Sequence, residues 1–188
     1  MALIQQQIEN IQIDYGIVYI NYEQADEARL GPTRGGGEFV ATATIRDIEY
    51  DGSKGKTKGM QVVDDITAQL NVTSLNSSMD TLKMALPFAK YDNETGKLSV
   101  GSDSVGIVPD SAYLKNITMF AKTVKGEYKK ITLYNALSEN GLTFAAAPKA
   151  EGTIALNVYA HWDATDDTKN LFEIEDVTGI ELGQGNLS

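Results

Sequence analysis

Cysteine is absent from the chain, which excludes disulfides, thiolate metal sites and cysteine nucleophiles. The single histidine, His161, excludes every site built on two imidazoles and leaves at most one for acid–base work. No stretch approaches the roughly 18 apolar residues of a membrane span. The first residues, Met1-Ala2-Leu3-Ile4-Gln5-Gln6-Gln7, lack a basic region followed by an apolar run. Synthesis and assembly in the cytosol, with no membrane partner, are therefore expected. Bases are scarce: 16 Lys and Arg face 26 Asp and Glu, a net charge of −10. Affinity for nucleic acid comes from neutralising phosphates, so such a chain grips DNA poorly.

What is present fits one domain. The length of 188 residues and a 42% hydrophobic content are enough for a real core without metals or cross-links. The charge is unevenly placed. Residues 1–28 carry acids and no base, whereas Arg29, Arg34, Arg46, Lys54, Lys56 and Lys58 crowd the next segment. From residue 151 onward, Lys169 is the only base among many acids. Ordinary solvated surface explains this pattern, and so do complementary patches that meet between copies of the chain.

Alternation predicts strands. Ile11 to Ile20 has a strand period, with Ile11, Ile13, Tyr15, Ile17 and Tyr19 on its more apolar face. Residues 22–38, with Gly31-Pro32 and Gly35-Gly36-Gly37, read as a long contact loop. Phe39 to Tyr50 is a strand with Phe39, Ala41, Ala43 and Ile45 on one face and Val40, Thr42, Thr44 and Arg46 on the other, and a bulge is expected near Arg46-Asp47. Residues 51–59, DGSKGKTKG, form an exposed hairpin tip. Val62 to Leu75 puts Ile66, Ala68, Leu70 and Val72 inward and Thr67, Gln69, Asn71 and Thr73 outward. A short helix follows, capped by Ser77 or Ser78, with Met79, Leu82 and Leu86 on its packed face and Pro87 as its stop. Strands are expected at 114–124, 128–137 and 152–163, the last with Ile154, Leu156, Val158, Ala160 and Trp162 inward. Residues 164–188 read as an acidic C-terminal tail, mobile or partner-dependent.

Catalytic motifs fail on inspection. Gly55-Lys56-Thr57 looks like the end of a phosphate loop, but the required upstream glycine is Tyr50 and a strand follows where a helix is needed. Asp92-Asn93-Glu94-Thr95-Gly96 has its glycine one place early for a calcium loop, and Asp103 stands where that loop needs Glu. His161 faces away from the apolar side of its strand, and Asp163, Asp166 and Asp167 near it read as solvated acids. No nucleophile elbow occurs. No enzymatic activity, cofactor or metal is expected.

The run FVATATIRDIEYDGSKGKTKG, then VVDDITAQLNVTSL, then NSSMDTLKMALP resembles the tail tube proteins (major tail proteins) of tailed bacteriophages, siphophage-like members in particular. The likeness spans about residues 11–165 and rests on element order, loop character and size. It implies a mainly β chain, a sandwich or barrel with one short flanking helix, as a single domain over 1–188. It implies self-assembly into stacked six-membered rings that form a hollow tail tube, through which DNA passes to the host without specific binding. Other tail proteins, such as tape measure, terminator and distal tail proteins, would be its partners, and the virion its location. On this reading Thr42, Thr44, Thr67, Gln69, Asn71 and Thr73 face the lumen. Arg29, Arg34, Lys54, Lys56 and Lys58 would meet acids such as Glu173, Glu175 and Asp176 of an adjacent ring. A tube subunit of a contractile tail or injection device shares these features. A carbohydrate-binding or adhesin β-sandwich remains a further alternative, against which the inward phase of Trp162 argues.

Overall fold

The computed structural model describes residues 3–13, 16–144, 151–180 and 182. Its centre is an eight-stranded sheet that folds over on itself. In chain order the strands are β1 (Ile17–Ile20), β2 (Ala28–Arg29), β3 (Thr33–Asp47), β4 (Gln61–Ser74), β5 (Lys90–Asp92), β6 (Lys97–Ser99), β7 (Leu114–Lys122), β8 (Tyr128–Ser138), β9 (Ile154–Tyr159) and β10 (Phe172–Val177). The large sheet runs β2-β1-β7-β8-β9-β4-β3, with β10 also on β8, while β5 and β6 form a separate hairpin. The architecture is mainly β with a short helix, as the sequence leads one to expect.

β8 is the fold line. Its first half pairs with β10, from Tyr128↔Val177 to Leu133↔Phe172. Its end pairs with β9 at Leu137 and Ser138. Between them Asn135 takes a left-handed φ of 47°, which lets the strand leave one half-sheet for the other. The two halves then face each other. Val18, Ile117, Met119 and Leu133 from one half meet Leu70, Val72, Leu156 and Val158 from the other. Gly37 permits the closest approach: a Cβ there would lie 2.6 Å from the Met119 sulfur.

Helix α2 (Met79–Ala85) closes one end of this core. Ser78 is the cap, its hydroxyl accepting from the Thr81 N–H. The fully buried residues are Thr81, Met84 and Ala85; of the expected Met79, Leu82 and Leu86 set, Leu82 packs against the core and Met79 is exposed. Seven residues make under two full turns, so the cap and the flanking loop decide the rotation more than the 3.6-residue period does.

The segment before β1 departs further from expectation. Gln5–Glu9 is a single helical turn, α1. Gln12 makes an isolated bridge to Thr123, Asp14 and Tyr15 lie outside the described residues, and only 17–20 is strand. Ile11 and Ile13 are exposed. The run still follows the chain past β7, for the Ile13 N–H donates to the Lys122 carbonyl at 3.0 Å and the Val124 N–H to the Ile11 carbonyl at 2.8 Å; alternation alone cannot show that the isoleucines there meet no opposing layer.

Residues 22–38 are not one loop. The chain turns at 21–27, pairs as β2 on β1, and enters β3 at Thr33. The turn is clamped by reciprocal amides. The Tyr22 N–H donates to Asn116 Oδ1 at 2.7 Å, and Asn116 Nδ2 donates to the Tyr22 carbonyl at 3.0 Å. Asn21 Oδ1 accepts from the Lys115 N–H at 2.9 Å. This lays the Tyr22 ring over the outer face of the β1–β7 pair, 5.0 Å from Phe120 and 5.5 Å from Tyr19. Phe120 is fully buried there, in a small aromatic core separate from the main one.

The acidic tail contributes a strand. β10 zips onto β8 by direct pairing, and residue 181 and residues 183–188 lie outside the described residues.

Candidate assembly surfaces

β3 and β4 form a hairpin longer than the core beneath it. Its base is buried on one side, where Leu70 and Ala68 lie against the other half-sheet. From Ala41 to Asp47, and from Gln61 to Thr67, nearly every residue is exposed. At about 3.3 Å per residue, that is roughly 20 Å of ribbon beyond the core. Two irregularities shape it. Gly35 and Gly36, at φ 75° and 77°, are the extra residues between the Arg34↔Thr73 and Gly37↔Val72 pairs. Asp64 is the extra residue between Thr44↔Asp65 and Ile45↔Val63. The bulge thus falls slightly before the expected Arg46-Asp47.

One face of the ribbon is polar. The register sets Thr42 opposite Thr67, Thr44 opposite Asp65, Val40 opposite Gln69 and Glu38 opposite Asn71. The six residues Thr42, Thr44, Thr67, Gln69, Asn71 and Thr73 therefore share a face. β9 extends it, for Asn157 Nδ2 donates to Asn71 Oδ1 at 2.7 Å and Asn71 Nδ2 donates to Glu38 Oε2 at 3.1 Å. Two cations border this face and each is held by an acid: Arg34 pairs with Glu151, and Arg46 makes a forked contact with Asp64 at 2.9 and 3.2 Å.

The opposite face is apolar from end to end. Phe39, Ala41, Ala43 and Ile45 alternate onto it, facing Leu70, Ala68, Ile66 and Val63 across the ladder. At the base this stripe joins the core, where the Phe39 ring lies 5.1 Å from that of Phe172. Toward the tip it is uncovered: Ile66 is 38% exposed, Val63 54% and Ile45 55%. Ile66 is thus on the core side, as its phase requires, but beyond the core's reach. β3 is also an end of the sheet, so its outer backbone edge pairs with no strand among the described residues.

The ribbon ends in the loop between Asp47 and Gln61, where Lys54, Lys56 and Lys58 are exposed and form no ion pair among the described residues. The other sequence-derived contact residues are distributed differently. Arg29 is half-buried in β2 opposite Tyr19. Glu173, Glu175 and Asp176 come together on β10, and each already has a partner in its own chain. Glu175 pairs with Lys130 at 2.8 Å and Asp176 with Lys129. Glu173 accepts from the Tyr134 hydroxyl at 2.9 Å and from Asn170 Nδ2 at 2.6 Å.

Burial, then the hydrogen bond to Glu173, push the Tyr134 phenol from its ordinary 10.0 up to about 12. A group raised in the folded state stabilises fully below its unfolded value and loses that contribution as pH rises through the folded one. Stability from this pair is therefore expected to hold up to about pH 10 and to fall toward about pH 12. An ultraviolet titration should show the Tyr134 phenolate among those that form late, and Glu173→Gln should bring one late phenolate earlier. Coincident ionisation in both proteins would contradict the pairing.

Among the described residues no cluster of three or more His, Asp or Glu is placed to hold a metal. His161 is half-buried and engaged on both ring nitrogens: Nδ1 with the Asn135 carbonyl at 3.0 Å, Nε2 with Glu139 at 2.9 Å. Trp162 overturns its expected inward phase. β9 stops at Tyr159, and the indole stands 55% exposed. The strand has ended before position 162, so its alternation no longer sets where the indole points.

Comparison with known proteins gives outlines only. No protein-family model matches the chain, and no curated protein matches it. Among solved structures, a chain of the virion of a native gene transfer agent particle superposes with a TM-score of 0.45 at 8% identity, over 87% of this chain and 95% of that one. The Hcp protein superposes with a TM-score of 0.34 at 12% identity, over 88% of this chain and 100% of the other. Resemblance this distant leaves function to be argued from the chain's own geometry.

Proposed function

We propose that this chain is the structural subunit of a phage tail tube, assembling as stacked six-membered rings around a lumen that conducts DNA. The observation that carries the reading is the ribbon. An apolar stripe that leaves the core and runs out uncovered along a two-stranded hairpin has no use within one molecule. In water it favours association by about 25 cal/mol for each Å² it buries, and an open strand edge beside it invites pairing with another chain. A second copy that offers its own sheet to the β3 edge satisfies both. Such a contact is heterologous, joining unlike surfaces, and repeats around a ring when the rotation closes.

The polar face then suits the lumen. It presents hydroxyls, amides and acids, with Arg34 and Arg46 already neutralised. DNA bound through released counterions would stall, whereas a wall without free cations lets it pass. No reaction is assigned to the subunit; its partners are copies of itself and the other proteins of the tail, and its place is the virion.

The lysine tip is the ring-to-ring contact in this account. Concentrated protein should sediment as large species whose size falls with rising salt, since exposed charge pairs are screened over about 8–10 Å at ordinary ionic strength. The triple substitution Lys54→Glu, Lys56→Glu, Lys58→Glu should reduce stacking and remove that salt dependence. Unchanged sedimentation and unchanged salt response would remove the tip from the interface.

A further inference from the structure

We propose that the shallow cavity beside Trp162, at the turn after β9, is a binding site for a neutral saccharide. The cavity holds about 450 Å³ and is bounded by Trp162, Tyr113, His161, Asn135, Asp110 and Asp163. It lies where β8 crosses between the half-sheets.

The wall is built and fixed. Asn135 holds its left-handed φ of 47° in the middle of a strand, a conformation that costs energy in a residue other than glycine and persists only where its surroundings enforce it. His161 enforces it. Its Nδ1 donates to the Asn135 carbonyl at 3.0 Å, and Asn135 Nδ2 donates back to the His161 carbonyl at 3.1 Å. Glu139 holds the far ring nitrogen, and the Tyr113 ring meets the imidazole edge-on at 5.2 Å. A ligand that enters such a wall spends little on ordering it.

The open groups are those a sugar uses. Among the described residues the Trp162 indole N–H, the Tyr113 hydroxyl and the Asp110 carboxylate make no side-chain hydrogen bond. Asp163, by contrast, is occupied by Thr165 at 2.6 Å and Lys169 at 2.6 Å. A sugar ring offers a C–H face to an aromatic plane and hydroxyls to donors and acceptors at its rim, which matches one exposed indole with a few convergent polar groups. Two carboxylates at the rim disfavour a phosphate or an acidic sugar. A flat protein surface would leave the concave polar space unfilled.

Trp162 is the only tryptophan of the chain, so its fluorescence reports this site alone. The full chain would be titrated with maltohexaose, cellohexaose and chitohexaose, following indole emission and heat. At least one sugar is expected to shift emission to shorter wavelength, saturably, and to protect the indole from a soluble quencher. Trp162→Ala should abolish the heat signal. Asp110→Asn should weaken binding about tenfold, as loss of one hydrogen bond to a charged group does. Both variants should sediment like the unaltered chain, which separates this result from the fate of the tube reading. The proposal falls if all three sugars leave emission and heat unchanged, or if sugar binding survives Trp162→Ala. It falls equally if polymerisation alone shifts the emission and excludes the sugar, which would make a neighbouring subunit the occupant.

Discussion

The double substitution Ile45→Asp, Ile66→Asp is expected to leave a folded monomer that no longer polymerises. Both side chains lie on the uncovered stretch of the hairpin's apolar face, so the isolated chain loses little by the change. Surface substitutions outside the core commonly cost within about 0.5 kcal/mol, and the poorer strand propensity of aspartate adds up to about 1 kcal/mol at each site. The cost falls on assembly. Burying two such apolar side chains contributes about 1.5–3 kcal/mol each, and every subunit in a ring makes the contact. A buried, unpaired carboxylate adds several kcal/mol more to the penalty. Even the first term alone weakens each contact by roughly a hundredfold to ten-thousandfold. Circular dichroism and sedimentation together check it. A variant that still forms large species would show the stripe to be outside the interface, and one that unfolds would show it to be part of the monomer's own stability.

The substitution Phe120→Ala should act in the opposite way, on the fold more than on the surface. Phe120 is fully buried beneath Tyr22 and beside Tyr19 and Tyr128. Removing a buried ring of this kind costs about 3–5 kcal/mol, with about 0.5–1.5 kcal/mol more for each edge-to-face pair lost. Against a typical total of about 5–15 kcal/mol, that is a large share. The melting temperature should drop by more than 10 °C or so, given roughly 2–8 °C per kcal/mol for domains of this range of sizes. Turn 21–27 should loosen with it, because Tyr22 loses the surface it covers, and amide exchange at Tyr22 should accelerate. A shift of only a degree or two would mean that the aromatic layer is ornamental to stability.

Ile66 and Phe120 mark where the sequence is and is not legible. The phase of β4 can be read directly: Ala68, Leu70 and Val72 are inward, and Thr67, Gln69, Asn71 and Thr73 share the other face. The ends of the core cannot. Ile66 has the right phase and is exposed, because alternation reports which way a side chain points and not how far the opposing layer extends. The aromatic layer is hidden for a related reason. Tyr19, Tyr22, Phe120 and Tyr128 come from three separate parts of the chain, and the Asn21 and Asn116 amides that bring the turn down act across some 95 positions. β10 escapes notice because Glu173, Glu175 and Asp176 look like tail acids until Lys129 and Lys130 are found opposite. The site at Trp162 is invisible for the simplest reason. Only the end of β9 at Tyr159 separates a tryptophan in the core from one in a cavity wall.

The most direct measurement for the tube itself is negative-stain electron microscopy of the purified chain at high concentration and low salt. Rings with a central hole, or hollow tubes built from them, are expected, with the polar face of β3 and β4 lining the hole. A monodisperse monomer that persists at every concentration, its hairpin exposed and inert, would contradict it.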